Sequence, residues 1–126
     1  MHKSKLAGFI IDCRTDDLQG AARFWSEALG MAMQQLPEEE GERYVRLMAP
    51  AQQLHIEVQA VDHDSRVHLD IETDDIPAEV ARLEALGAVV VDHVHSWCVM
   101  QAPTGQRFCV VKARGAEFQQ KSRVWE

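Results

Sequence analysis

Two aspartates stand at matching places in a chain that nearly repeats itself. Ile10-Ile11-Asp12-Cys13-Arg14-Thr15-Asp16-Asp17-Leu18 is echoed by His68-Leu69-Asp70-Ile71-Glu72-Thr73-Asp74-Asp75-Ile76. Period-two alternation puts Asp12 and Asp70 on the mixed face of equivalent strands. Two carboxylates brought near each other can raise one pKa and supply a general acid or base. Their bland alternative is that each bonds neighbouring backbone or an arginine. The repeat is also lopsided, because Ile10 stands where His68 stands in the second copy. An imidazole at one of two equivalent places makes His68, with Asp70 and Asp12, the catalytic candidates.

The remaining histidines carry less. His93 and His95 lie on one side of a strand or turn, beside Asp92 and Ser96, and read as a solvated hairpin connection. Asp62-His63-Asp64 reads as polar coil, and His2 is terminal. No nucleophile-elbow sequence, phosphate-cradling glycine loop or helix-borne His-Glu-x-x-His is present, so hydrolase and nucleotide-binding readings have little support.

The elements that must position these groups follow from the same repeat. Phe9, Ile11 and Cys13 alternate with Ile10, Asp12 and Arg14 as one strand. Asp16 or Asp17 caps a helix with Leu18, Ala21, Ala22, Trp25, Ala28 and Leu29 along one side, and Gly30 ends it. In the second copy Asp74 or Asp75 caps, Pro77 sits in the first turn, and Ile76, Val80, Leu83 and Leu86 make the stripe that Gly87 closes. After the first helix, Met31 to Leu36 and Glu42 to Met48 flank a charged turn and predict a hairpin. Ala49-Pro50 interrupts, and Leu54 to Val58 alternates again. The second half offers Ala88 to Asp92, Ser96 to Gln101, a break at Ala102 to Gly105, and Gln106 to Val111. Each half reads β-α-β-β-β, so the fold class is α+β. Module one covers about 5–58, the linker 59–66 and module two about 67–112 of a single domain over 1–126. The tail, 113–126, lacks periodicity and is either loose or an arm that docks Phe118 or Trp125.

Composition bounds the partners. The chain has 126 residues, an apolar fraction of 46% and a formal charge of −7, which suits one globular domain and disfavours nonspecific binding to nucleic acid or anionic lipid. Cys13, Cys98 and Cys109 are odd in number and lack metal-finger spacing, so a reducing, cytoplasmic setting is expected. No apolar run is long enough to span a membrane, and Met1 to Leu6 is too polar for a secretory signal.

The Asp-Asp-Leu start with Phe24-Trp25 and Leu29-Gly30, the His68-Leu69-Asp70 strand opening, and Ala102-Pro103-Thr104-Gly105-Gln106-Arg107-Phe108-Cys109 resemble the vicinal oxygen chelate superfamily. The last segment is similar to the D-P-x-G-N-x-F-C/E pattern that closes its modules. The narrower likeness, over residues 5–112, is to the glyoxalase-like, bleomycin-resistance-like branch. The resemblance implies a cup-shaped mixed sheet with both helices outside, a ligand on the concave face and a homodimer. It also implies, for metal-dependent members, ligands from the first and last strand of each module. Carried onto this chain, those positions are Ile10, which cannot coordinate, His68, Cys109, and on the Leu54 to Val58 strand Glu57, with His55 as fallback. Glu57, His68 and Cys109 could hold zinc, iron, manganese or nickel; Cys109 also reads as an ordinary strand residue. Alternation turns Tyr44, Arg46, Trp97 and Arg107 toward the same cup, along with His55, as walls for a small organic ligand or as plain core filling.

The functions left open are a metal-free small-molecule binding protein that sequesters a toxic or antibiotic compound, a divalent-metal lyase, isomerase or dioxygenase-type enzyme, and an accessory module with a vestigial cup.

Overall fold

The computed structural model describes residues 1–48, 54–114 and 117–126; the Ala49-Pro50 break lies outside them. Chain order is β1 (His2–Arg14), α1 (Leu18–Leu29), β2 (Ala32–Gln35), α2 (Glu40–Arg43), β3 (Tyr44–Met48), β4 (His55–Val61), β5 (Arg66–Thr73), α3 (Ile76–Ala85), β6 (Val89–Val94), β7 (Trp97–Gln101), β8 (Arg107–Lys112), α4 (Phe118–Lys121) and β9 (Arg123–Trp125). The class is α+β, with β-α-β-β-β written twice. The described residues form two compact units, Gly8–His68, and Met1–Ala7 with Leu69–Glu126.

In the Gly8–His68 unit the strands lie in the order β2-β3-β4-β1. β1 runs parallel to β4, and β3 is antiparallel to both β2 and β4. Ile11 is buried with Ala22, Val45, Leu47, Ile56 and Val58, and Phe9, Cys13, Leu18, Ala21 and Trp25 pack against them. This is the apolar side of each strand meeting the apolar stripe of α1, at roughly 1.5–3 kcal/mol per large buried side chain. The helix starts where the Asp17 carboxylate accepts the Gly20 N–H at 3.0 Å. It stops at Gly30, whose φ of 68° is left-handed, a conformation glycine reaches without a Cβ penalty. Gly8 has a different reason to be glycine: a Cβ there would sit 1.8 Å from the His55 carbonyl oxygen of the paired strand. The β2–β3 hairpin forms, but its connection contains α2, which the sequence reading took as a plain turn. A connection of this length is too long for a tight turn, and it closes by i+3 bonds from Gly41 N to Glu38 O and Glu42 N to Glu39 O.

In the other unit the order is β5-β8-β7-β6, with β5 parallel to β8 and β7 antiparallel to β6 and β8. Leu83, Ala88, Cys98, Met100 and Val110 form its core, backed by Ile71, Ile76, Val80, Val90 and Phe108. The Asp75 carboxylate accepts the Ala78 N–H at 3.0 Å, repeating the cap of α1. The stop differs: Leu86 is the C-cap, and Gly87 takes φ 108° one residue later.

The C-terminal segment docks. β9 pairs antiparallel with His2, Lys3 and Ser4 of β1, Phe118 is buried, and Trp125 Nε1 donates to Ser4 Oγ at 2.9 Å. The Arg82 guanidinium lies 3.8 Å from the Trp125 ring centroid. Beneath it Glu79, 0% exposed, accepts from Arg82 Nε and Nη2 and from His2 Nε2, each at 2.8 Å. Burial pushes the Glu79 carboxyl up, but the bonds from Arg82, His2 and Ser4 outweigh it and hold the group below its ordinary range.

Candidate functional site

With Phe9, Ile11 and Cys13 committed to the helix side, Ile10 and Asp12 fall on the opposite face of β1. Register extends that face across the Gly8–His68 unit: Ile10 is paired with Glu57, Asp12 with Gln59, and on β3 Arg46 with Glu57 and Tyr44 with Gln59. Polar side chains are unusually buried here. Asp12 is 2% exposed and Glu57 7%. His55 Nε2 is 3.0 Å from Glu57 Oε2, and Gln59 Nε2 donates to the Tyr44 hydroxyl at 3.0 Å.

Asp12 is the centre of this face. His68 Nδ1 donates to its Oδ2 at 2.8 Å, which fixes the ring orientation and assigns the lone pair of a neutral imidazole to Nε2. Arg66 Nε stands 3.8 Å and His63 Nε2 3.9 Å from the same oxygen. The other oxygen, Oδ1, is buried with no hydrogen-bond partner among the described residues, an uncommon condition for a buried acceptor. His63 and Arg66 were missed by the sequence reading, which treated the first as polar coil. A signal for Arg66 was available: it lies two residues before His68, so alternation on β5 puts both on one face.

In the Leu69–Glu126 unit Asp70 is paired with Cys109, and Val99 with Cys109, on β5, β8 and β7. Arg107 Nε donates to Gln101 Oε1 at 3.0 Å. Trp97 stands 5.5 Å, ring centroid to ring centroid, from His95. His95 occupies the turn between β6 and β7 with φ 50°, and His93 at the end of β6 is exposed. One ligand atom each from Asp70 and Cys109 lie within 4.8 Å of each other.

A carboxylate and a thiol on one face suit a divalent ion of borderline softness such as zinc. All three cysteines are unbridged. Burial pushes the Cys98 thiol up, with Cys109, Glu84 and Asp92 adding to it. Burial likewise raises Cys13, partly offset by a bond with Trp25 and reinforced by the charge of Asp12.

A family model described as a glyoxalase-like domain matches residues 8–111. No curated protein matches the chain. Among solved structures, a hypothetical protein from Bacillus halodurans C-125 superposes with a TM-score of 0.65 at 9% identity, covering 90% of this chain and 96% of its own. Methylmalonyl-CoA epimerase from Mycobacterium tuberculosis gives 0.62 at 16% identity, covering 87% and 90%. A Streptomyces coelicolor methylmalonyl-CoA epimerase variant in complex with 2-nitronate-propionyl-CoA gives 0.54 at 15%, covering 86% and 98%. At these identities the likeness is one of fold.

Proposed function

We propose, from the premise that this chain belongs to the glyoxalase-like domain family, that it is a small-molecule binding protein with the Asp12–His68 pair as its polar anchor. The observation that carries this reading is the 2.8 Å bond from His68 to a carboxylate that is 2% exposed. Taking a carboxylate and an imidazole out of water costs free energy that their one hydrogen bond must offset, and apolar residues of similar size often serve stability as well or better. Ile10, two residues from Asp12 on the same face and 3% exposed, is such a residue. A pair retained beside it fits a role in binding. With Nδ1 bonded to Asp12, the His68 ring is held in a fixed orientation toward a ligand on this face. Tyr44, Arg46 and His55 add ring area and charge on the same face, and Trp97, Arg107 and Asp70 do so in the other unit. Sequestration of a toxic or antibiotic compound, by a homodimer in the cytoplasm, completes the proposal. The three unbridged cysteines support the reducing setting, and among the described residues no helix is long and apolar enough to cross a membrane. The structural likeness to methylmalonyl-CoA epimerases adds CoA esters to the compounds worth trying.

A second reading, a divalent-metal lyase, isomerase or dioxygenase-type enzyme, is favoured by the neighbouring Asp70 and Cys109 donors. A bound ion would supply Lewis-acid polarisation of a ligand oxygen. The chain's own part would be orientation: Asp12 holds the His68 ring from behind, as carboxylates do for histidines that ligate metals.

Metal content of the purified protein, after reconstitution with zinc, manganese, iron and nickel, separates the two. The binding reading expects substoichiometric metal and a compound that can be released unchanged on denaturation. One tightly held ion per chain, lost in His68→Ala, favours the second reading. A single ion that survives His68→Ala would remove His68 from either site.

A further inference from the structure

We infer that Arg66 makes the Asp12–His68 site selective for ligands that carry an oxyanion, a carboxylate or a phosphate; the inference rests on the small-molecule reading and names its ligand class. Arg66 is held in place yet little used by the protein. Its Nη2 donates to His63 Nε2 at 3.4 Å, and its Nε stays 3.8 Å from Asp12 Oδ2, an ion-pair distance beyond hydrogen bonding. That oxygen already receives His68 at 2.8 Å. Of the five N–H donors of a guanidinium, one meets an acceptor among the described residues, and the side chain is 43% exposed.

The support behind Arg66 is a neutral ring. His63 Nδ1 lies 2.8 Å from the Asp64 carbonyl oxygen, which can only accept, so Nδ1 carries the proton and Nε2 offers its lone pair to Arg66. The segment carrying His63 is itself tied to the end of β1: the Arg14 N–H donates to Ser65 Oγ at 3.0 Å, and Arg14 Nη1 to Asp64 Oδ1 at 3.2 Å. Arg66 is thus fixed before a ligand arrives, which lowers the ordering cost of binding.

The same protein shows what an arginine looks like when it serves structure. Arg82 forks both oxygens of the fully buried Glu79 at 2.8 Å and stacks on Trp125. Arg66 has neither fork nor ring. A guanidinium that makes one hydrogen bond, through Nη2, among the described residues, two residues from His68 on one strand face, has N–H donors left for the planar geometry of a carboxylate or phosphate. In a chain of charge −7, general attraction for anions is absent, so recognition must be local.

The test is NMR titration at constant ionic strength with malonate and inorganic phosphate, using malonamide as the neutral counterpart. The Arg66 Nε–H and the His68 ring are read together. Saturable shifts of Arg66 with malonate or phosphate, absent with malonamide, are expected. Arg66→Gln should weaken that binding at least tenfold, and Arg66→Lys should restore only part of it, because it returns charge without the fork. Equal affinity in Arg66→Gln, or equal response to malonamide, overturns the inference. A response of His68 to neutral compounds with none at Arg66 also overturns it, while leaving the small-molecule reading standing. Silence of both residues toward every compound overturns both.

Discussion

Asp12 and His68, 56 residues apart in the chain, are joined by one hydrogen bond of 2.8 Å from the ring Nδ1 to the carboxylate Oδ2. Asp12→Asn keeps the shape of the side chain but removes the charge that orients the ring, so the protein should fold while His68 loses its fixed tautomer. Affinity for a ligand bound through Nε2 should fall about tenfold, near 1.4 kcal/mol. Two-dimensional NMR of the imidazole nitrogens checks this, and an unchanged tautomer in Asp12→Asn would refute it.

Glu79 links helix α3 to both ends of the chain, and its folded-state carboxyl lies below its ordinary value. A lowered folded pKa means that the contribution is fully present above the unfolded value of about 4.5 and is lost as pH falls through the folded one. Glu79→Gln leaves Arg82 without its buried partner and should cost about 3–5 kcal/mol at neutral pH. The gap between variant and wild type in urea unfolding should narrow below about pH 4.5. A gap that stays constant with pH would contradict the ion-pair assignment.

Cys98 is 0% exposed, and its thiol is raised mainly by burial. Since the thiolate is the nucleophile, native protein at pH 8 should alkylate at Cys98 with iodoacetamide at least a hundredfold more slowly than urea-unfolded protein. Peptide mass spectrometry reads the rate at each cysteine. Labelling of folded Cys98 at the unfolded rate would disprove it.

What could be read from the sequence was whatever the local period encodes. The paired caps at Asp17 and Asp75, the left-handed Gly30, the two β-α-β-β-β series and the vicinal oxygen chelate resemblance are all borne out, because each depends on spacing within a short stretch. The short helix α2 was not legible, since a charged connection carries no period. The docking of Phe118 and Trp125 was legible as one of two alternatives for the tail, but the partners Arg82 and Ser4 were not, because they lie far away in the chain. The setting of Asp12 was half legible: alternation gave its face, and on β5 the same rule reaches Arg66 once the strand is known to begin there. The carboxylate beside Cys109 is Asp70, its register partner. Counting along separate strands could not supply that pairing.

Binding of a small molecule at His68 is measured most directly by calorimetric titration of wild type, His68→Ala and Asp12→Asn with one compound, either recovered from the purified protein or found by thermal-shift screening. The expected result is one molecule per chain in wild type and at least tenfold weaker binding in His68→Ala, with Asp12→Asn also weakened and all three proteins folded by circular dichroism. Equal affinity in wild type and His68→Ala would contradict a ligand site at the Asp12–His68 pair.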